Sequence, residues 1–280
     1  MKESLSVRFL YRTVVGRVIL KVLVQPGISK MAGLFLDSRL STGIIPSFTK
    51  NNNIDMEGVI VPEKGFSSFN EFFCRKREPL NISSTTEELV SPCDGFLTCM
   101  PIRRNMIFDI KHTKFSLESL LKDKALAEEF YDGTAYVFRL SPANYHRYSY
   151  MYDGKIVGQK RIKGIFHCVR PIVTEKLPVF AQNAREYQVI ETENAGKLVQ
   201  MEVGALLVGR ITNHPKLKIG TNIKKGQEKG FFEFGGSTIV VLFKKGRVSM
   251  AKALSGRVDE NGEIPVVQGE PVAVINRLSD

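Results

Sequence analysis

An α+β fold, with a β-rich core and an N-terminal amphipathic helical arm, is predicted by three features of the chain. Residues 7–22 carry a helical apolar stripe, strand-like runs separated by turns fill the chain from about Val90 onward, and only short helical signals interrupt them. With 280 residues, 43% hydrophobic and 25% charged, the chain suffices for one large core or two modest ones. That composition excludes disordered, collagen-like and disulfide-dense classes.

The elements follow in chain order. On a helix, Val7, Tyr11, Val14, Val15, Val18 and Val22 share one stripe, with Arg8 and Arg12 on one flank and Arg17 and Lys21 on the other. This is the layout of a helix lying in a membrane interface, although a helix packed on its own domain with a solvated rim gives the same pattern. Pro26-Gly27 ends the segment, and residues 31–36 form a second apolar stretch. Residues 40–66, which include Lys50-Asn51-Asn52-Asn53, read as a loop crossing to the body. Ser68-Phe69-Asn70-Glu71 spells a capping box that opens a short helix through Phe72 and Phe73. Ser116 precedes a second short helix over residues 117–121. Residues 187–192 and 197–203, joined by Glu193-Asn194-Ala195-Gly196, predict a hairpin, and residues 205–211 and 238–243 predict further strands. The expected division is an arm and linker over 1–66 and a β-rich domain over 67–280.

Forty Lys and Arg against 29 Asp and Glu give a net charge of +11. Residues 1–50 hold eight of the basic and two of the acidic residues, so more than half of the excess lies in the arm. Such a balance implies an anionic partner: phospholipid, nucleic acid or an acidic substrate. The absence of Trp, of a nucleic-acid-binding motif and of a basic stripe with interleaved aromatics in the body argues against nucleic acid. Cys74, Cys93, Cys99 and Cys168 show no CxxC spacing and read as reduced thiols. Lys21 breaks the apolar run, against a cleaved signal peptide, and no run of about 18 apolar residues predicts a spanning helix.

Chemistry concentrates in a few places. Gly235-Gly236-Ser237-Thr238 directly precedes an apolar strand. A Gly-Ser bond in a strained turn suits attack by the serine hydroxyl on the preceding carbonyl; a Gly-Gly bulge feeding a core strand is the plainer alternative. His146, in the polar turn Ser141-Pro142-Ala143-Asn144-Tyr145-His146-Arg147, is a candidate for proton transfer or a structural histidine. His167, between Phe166 and Cys168, reads first as a buried strand histidine, and His112 and His214 as surface residues. Asp94, in Ser91-Pro92-Cys93-Asp94-Gly95, fits an ordinary turn as well as a catalytic carboxylate. No spacing suggests a metal site or a nucleotide loop.

Six ordered segments together resemble the phosphatidylserine decarboxylase family over nearly the whole chain. They are Phe69-Asn70-Glu71-Phe72-Phe73 with Arg75-Lys76, Ser91-Pro92-Cys93-Asp94-Gly95, Phe115-Ser116-Leu117-Glu118-Ser119-Leu120-Leu121, Tyr145-His146-Arg147, Val203-Gly204-Ala205 with Val208-Gly209, and Gly235-Gly236-Ser237-Thr238. The resemblance implies self-cleavage between Gly236 and Ser237, giving a β chain of residues 1–236 and an α chain of residues 237–280 that stay associated. It also implies a covalent pyruvoyl group derived from Ser237, with neither a metal nor pyridoxal phosphate. Asp94 and Ser237 carry over as processing residues, and His146 as the histidine that serves decarboxylation. The family commonly has a second histidine three residues after the first, where this chain has Ser149. The base for self-cleavage is therefore His146, or His167, or strain alone.

The implied reaction converts phosphatidylserine to phosphatidylethanolamine and CO2 at the cytoplasmic face of a bacterial-type membrane. Arg8, Arg12, Arg17 and Lys21 would dock the arm on anionic phospholipid. A homodimer is compatible with these features. Two other readings stay open: a processing-deficient lipid-binding relative, and a Ser-His-Asp hydrolase with intact Ser237. The second lacks a Gly-x-Ser-x-Gly elbow, and its serine precedes a strand rather than a helix.

Overall fold

A computed structural model of the chain describes residues 13, 15–16, 31, 33–79, 82–104, 108–110, 113–164, 182–204, 211–234 and 237–276, of which 108–110 and 113–115 are described as backbone only. The fold is α+β and rich in strands. Its centre is an eight-stranded antiparallel sheet in the order Asn222–Ile223, Gly154–Ile162, Arg185–Glu191, Lys197–Val203, Ser237–Phe243, Thr134–Leu140, Gly95–Pro101, Ile264–Val266.

Ser237–Phe243 is buried along its whole length because both faces of this strand are covered. Val240 and Leu242 meet Val137, Val199 and Met201 in one core, closed by Leu117, Leu120 and Leu121 of a short helix. Ile239, Val241 and Phe243 meet Tyr136, Phe138, Leu140, Tyr148 and Tyr150 in the other. Since strand side chains alternate, Ser237 falls on the second face. A three-stranded sheet of Ile211–Asn213, Glu228–Phe232 and Arg147–Ser149 contributes Tyr148 and Phe232 to that face. The predicted hairpin is present as Arg185–Glu191 paired with Lys197–Val203, and Gly196 supplies the turn's left-handed residue at φ 71°.

Both predicted short helices are present as Phe69–Phe73 and Leu117–Leu121. A further helix, Lys124–Glu128, follows at once, its Leu126 amide capped by the Asp123 carboxylate at 3.0 Å. Arg185, 1% exposed, donates to the carbonyls of Leu120, Asn183 and Ser119 at 2.7, 2.9 and 2.8 Å, satisfying the end of the Leu117–Leu121 helix.

The loop expected over 40–66 is corrected in its first part. Arg39–Ile44 forms a 3-10 turn that runs into an α-helix, Ile45–Asn51. Pro46, which reads as a breaker, sits in the first helical turn, where its missing N–H costs nothing. Tertiary packing then decides: the Phe48 ring meets Phe69 at 4.9 Å and Phe234 at 5.8 Å. The Asn-rich segment ends this helix, with Asn53 at φ 48°.

Arg8, Arg12, Arg17 and Lys21 lie outside the described residues, so the arm's stripe is untested. Just beyond it Met31, Leu34, Phe35 and Leu40 are exposed at 68, 65, 49 and 83%. Among the described residues no helix is long and apolar enough to cross a membrane.

Candidate active site

The Phe69–Phe73 helix organises the site. Ser68 Oγ accepts from the Glu71 amide at 3.1 Å, as the capping box predicts. The returning Glu71 carboxylate accepts from the Ser67 amide and hydroxyl at 2.5 and 2.7 Å, one residue earlier than the motif spells. Two bonds fasten the helix to the preceding segment: the Phe69 amide donates to Ser41 Oγ at 2.8 Å, and Asn70 Nδ2 to Asp37 Oδ1 at 2.8 Å.

From this anchor the helix holds two parts of the site at once. Its Phe73 ring lies 3.9 Å from the fully buried His146 ring, at 34° between planes. Its Asn70 Oδ1 accepts from the Phe234 amide at 3.3 Å, while the Phe234 ring sits 5.0 and 5.2 Å from Phe69 and Phe73. Phe234 precedes Ser237 by three residues, so one five-residue helix fixes both the histidine and the lead-in to the serine.

Each member of Tyr145-His146-Arg147 has its own restraint from the same stretch. The Arg77 guanidinium lies 4.2 Å from the Tyr145 ring centroid. Arg147 donates to the Cys74 carbonyl and to Glu228 Oε1, both at 2.8 Å. The His146 carbonyl accepts from the Phe232 amide at 2.9 Å.

Ser237 is fully buried, opposite Leu140, and its Oγ has no hydrogen-bond partner among the described residues. It shares no hydrogen bond with His146. A buried hydroxyl is usually satisfied, and leaving one bare costs about 1–3 kcal/mol. Gly236 and His167 lie outside the described residues.

Asp94 is placed by Gly95, whose close fit explains the Pro-Cys-Asp-Gly turn: a Cβ there would lie 2.6 Å from the Arg139 carbonyl oxygen. The Asp94 carboxylate accepts a bidentate pair from Arg77, both at 3.1 Å, and the Gln268 amide at 2.8 Å. Its partners among the described residues are thus an arginine and a backbone amide rather than a histidine. Ser149 lies close by, because Gln268 Nε2 donates to its Oγ at 3.2 Å and to the Pro92 carbonyl at 3.1 Å. Asp94 and the Ser149 position are therefore joined through Gln268. His214 is half-exposed and bonds Glu228 Oε1 at 2.6 Å.

Cys74, Cys93 and Cys99 are free thiols. Burial pushes Cys74 up to about 12 and Cys93 well above the ordinary thiol range, so neither supplies a thiolate nucleophile near neutral pH. Among the described residues no three His, Cys, Asp or Glu side chains converge as a metal site.

Sequence reasoning missed Arg77, Gln268 and a fully buried ion pair, in which Lys229 Nζ donates to Glu202 Oε1 and Oε2 at 2.7 and 2.8 Å. The available signal was Gln200 and Glu202 at the alternate positions of Lys197–Val203 shared with Leu198, where the pattern requires apolar residues. Burial raises the Glu202 pKa, opposed by the Lys229 ammonium. Lys229→Met is expected to cost about 3–5 kcal/mol at neutral pH, and Glu202→Gln with Lys229→Met much less. Without its cation Glu202 binds a proton more tightly folded than unfolded, so the single variant's loss should shrink as pH falls. Denaturant melts across pH check both expectations.

In this α+β fold one helix holds the buried His146 ring and Phe234, which lies three residues before the buried Ser237 at a strand start. The family model for phosphatidylserine decarboxylase matches residues 69–273. The chain is 37% identical over 274 residues to "Phosphatidylserine decarboxylase proenzyme 2" of Clostridium acetobutylicum, covering 97% of this chain and 92% of that protein. It is 40% identical over 270 residues to the phosphatidylserine decarboxylase proenzyme of Ruminiclostridium cellulolyticum, covering 94% and 89%, and 36% identical over 248 residues to that of Clostridium tetani, covering 87% and 83%. The chain belongs to the phosphatidylserine decarboxylase family, and so to the carboxy-lyases.

Proposed function

We propose that the chain is a precursor that cleaves its own Gly236–Ser237 bond and then decarboxylates phosphatidylserine to phosphatidylethanolamine. The observation that carries this reading is the buried Ser237 hydroxyl at the start of a central strand, without a hydrogen-bond partner among the described residues and three residues after Phe234, which the Phe69–Phe73 helix holds as it holds the His146 ring.

In the processing step Ser237 Oγ attacks the Gly236 carbonyl carbon and gives its proton to a base. The amide C–N bond breaks as the new ester forms, and the freed amine takes a proton. Loss of the Ser237 α-proton then expels the Gly236 carboxylate, leaving a dehydroalanine that tautomerises and hydrolyses, releasing ammonia. An Oγ without a partner among the described residues fits this fate. The resulting pyruvoyl group supplies an electron sink for decarboxylation. His146 is the proposed acid that protonates the substrate's former α-carbon, and the Phe73 stack fixes its plane. Asp94 is proposed as a processing residue whose orientation is set by Arg77 and Gln268.

The two products would remain together. Residues 237–243 are hydrogen-bonded between Thr134–Leu140 and Lys197–Val203, and Pro271–Ile275 pairs with Glu88–Val90, so the shorter chain is woven into the longer one. The arm docks on anionic phospholipid through Arg8, Arg12, Arg17 and Lys21, and the exposed Met31, Leu34, Phe35 and Leu40 add apolar surface. Each cation adds about 1 kcal/mol near such a surface, so vesicle co-sedimentation should weaken as salt rises and fail without residues 1–38. Unchanged binding would return the arm to the core.

Denaturing mass spectrometry tests the central reading. Two chains meeting between Gly236 and Ser237, the shorter with a blocked N-terminus, are expected. A single intact chain would sink self-processing and favour a lipid binder or a serine hydrolase.

A further inference from the structure

Arg75 differs from the other enclosed arginines among the described residues. Arg77 is paired with Asp94, Arg139 with Glu263, Arg147 with Glu228 and the Cys74 carbonyl, and Arg185 with three backbone carbonyls. Arg75 is 5% exposed, and its Nε and Nη1 are buried with no hydrogen-bond partner among the described residues. Its guanidinium lies 5.3 Å from the Phe72 ring centroid, a contact that favours a cation but accepts no hydrogen bond through the nitrogen fork. Burial lowers its pKa, as expected of a cation lacking a full counter-charge.

Its place in the fold is informative. Arg75 lies two residues after Phe73, which stacks on His146, and one after Cys74, whose carbonyl holds Arg147. Asp94 is the carboxylate whose charge acts on Arg75, but it is already engaged by Arg77 and the Gln268 amide. Buried guanidinium nitrogens without acceptors destabilise the free protein unless an anion meets them.

We propose that Arg75 is the seat for the phosphodiester of the substrate headgroup. This rests on the reading of the chain as a phosphatidylserine-decarboxylating enzyme. The headgroup carries two anions, and the chemistry chooses between them. A cation paired with the carboxylate would stabilise the charge that disappears as CO2 leaves, holding back the reaction. The phosphodiester keeps its charge from substrate to product, and a planar guanidinium matches two of its oxygens. Binding there strengthens the ground state and the transition state alike, so it belongs to KM rather than kcat.

The test compares processed full-length protein with Arg75→Met and Arg75→Lys. Three measurements are made: thermal unfolding, KM and kcat on phosphatidylserine in mixed micelles, and calorimetric binding of glycerophosphoethanolamine, which has the phosphodiester and lacks the carboxylate. Arg75→Met is expected to melt no lower than wild type, because an unpaired buried cation is removed. It should raise KM and weaken glycerophosphoethanolamine by about 10- to 100-fold, with kcat changed by less than about threefold. Arg75→Lys, which keeps the charge without the fork, should show a smaller loss in both and covers the case in which the methionine variant does not fold. Unchanged KM and unchanged glycerophosphoethanolamine affinity would overturn the assignment. So would a raised KM for phosphatidylserine with kcat not lowered and normal glycerophosphoethanolamine binding, which would put the guanidinium on the carboxylate. A wild type that binds glycerophosphoethanolamine through Arg75 but never turns over phosphatidylserine would refute the functional reading and leave the seat standing.

Discussion

Ser237→Ala is expected to stay a single chain of 280 residues and to show no decarboxylation at any incubation time. Alanine has no oxygen to attack the Gly236 carbonyl and cannot become a pyruvoyl group, so both activities vanish together. The substitution leaves the fold intact for a structural reason. Ser237 Oγ has no hydrogen-bond partner among the described residues, and the strand is held by its backbone ladder to Leu140 and its neighbours and by Ile239, Val241 and Phe243 beneath it. Removing a bare buried hydroxyl should leave stability unchanged or raise it by about 1–3 kcal/mol. Loss of activity at equal or higher melting temperature is thus the expected signature, read by mass spectrometry alongside a thermal scan. Ser237→Cys should cleave slowly, since a thiol can make the same acyl shift. Full activity in an uncleaved alanine variant would overturn the mechanism.

Much of this fold was legible because its local signals agree with its tertiary structure. The capping box at Ser68, the helix after Ser116, the Lys197–Val203 hairpin strand and the strand after Gly236 all rest on short patterns that the core then uses. Residues 40–51 read locally as loop because Pro46 and the asparagines dominate, while the force that orders them is contact between Phe48 and rings distant in sequence. The motif residues Asp94, His146 and Ser237 could be chosen from sequence, but their partners could not. Arg77 reaching Asp94 spans 17 residues and Gln268 reaching it spans 174, separations over which no periodicity speaks. Lys229 and Glu202 were hidden for the same reason, since a buried charge becomes intelligible only when its counter-ion is seen.

His146→Ala carries the second large effect and separates the processing base from the decarboxylation acid. The ring is fully buried, stacked 3.9 Å from Phe73, and its segment is tied by Arg77 to Tyr145 and by Arg147 to Glu228. Deleting the ring therefore opens a cavity without releasing the turn, and His146→Gln, which fills more of that space, guards against a packing artefact. If His146 takes the Ser237 proton as well as donating to the substrate carbon, the alanine variant should cleave about 10²–10⁴-fold more slowly, and the glutamine variant should not rescue it. The absence of a His146–Ser237 hydrogen bond in the precursor does not oppose this, because such contacts often tighten only along the reaction. Two chains forming at the normal rate, yet unable to decarboxylate phosphatidylserine, would confine His146 to the second step. The base would then be sought at His167, where His167→Ala should block cleavage. If both histidine variants still cleave at the wild-type rate, backbone strain at Gly235-Gly236 becomes the leading account of the acyl shift.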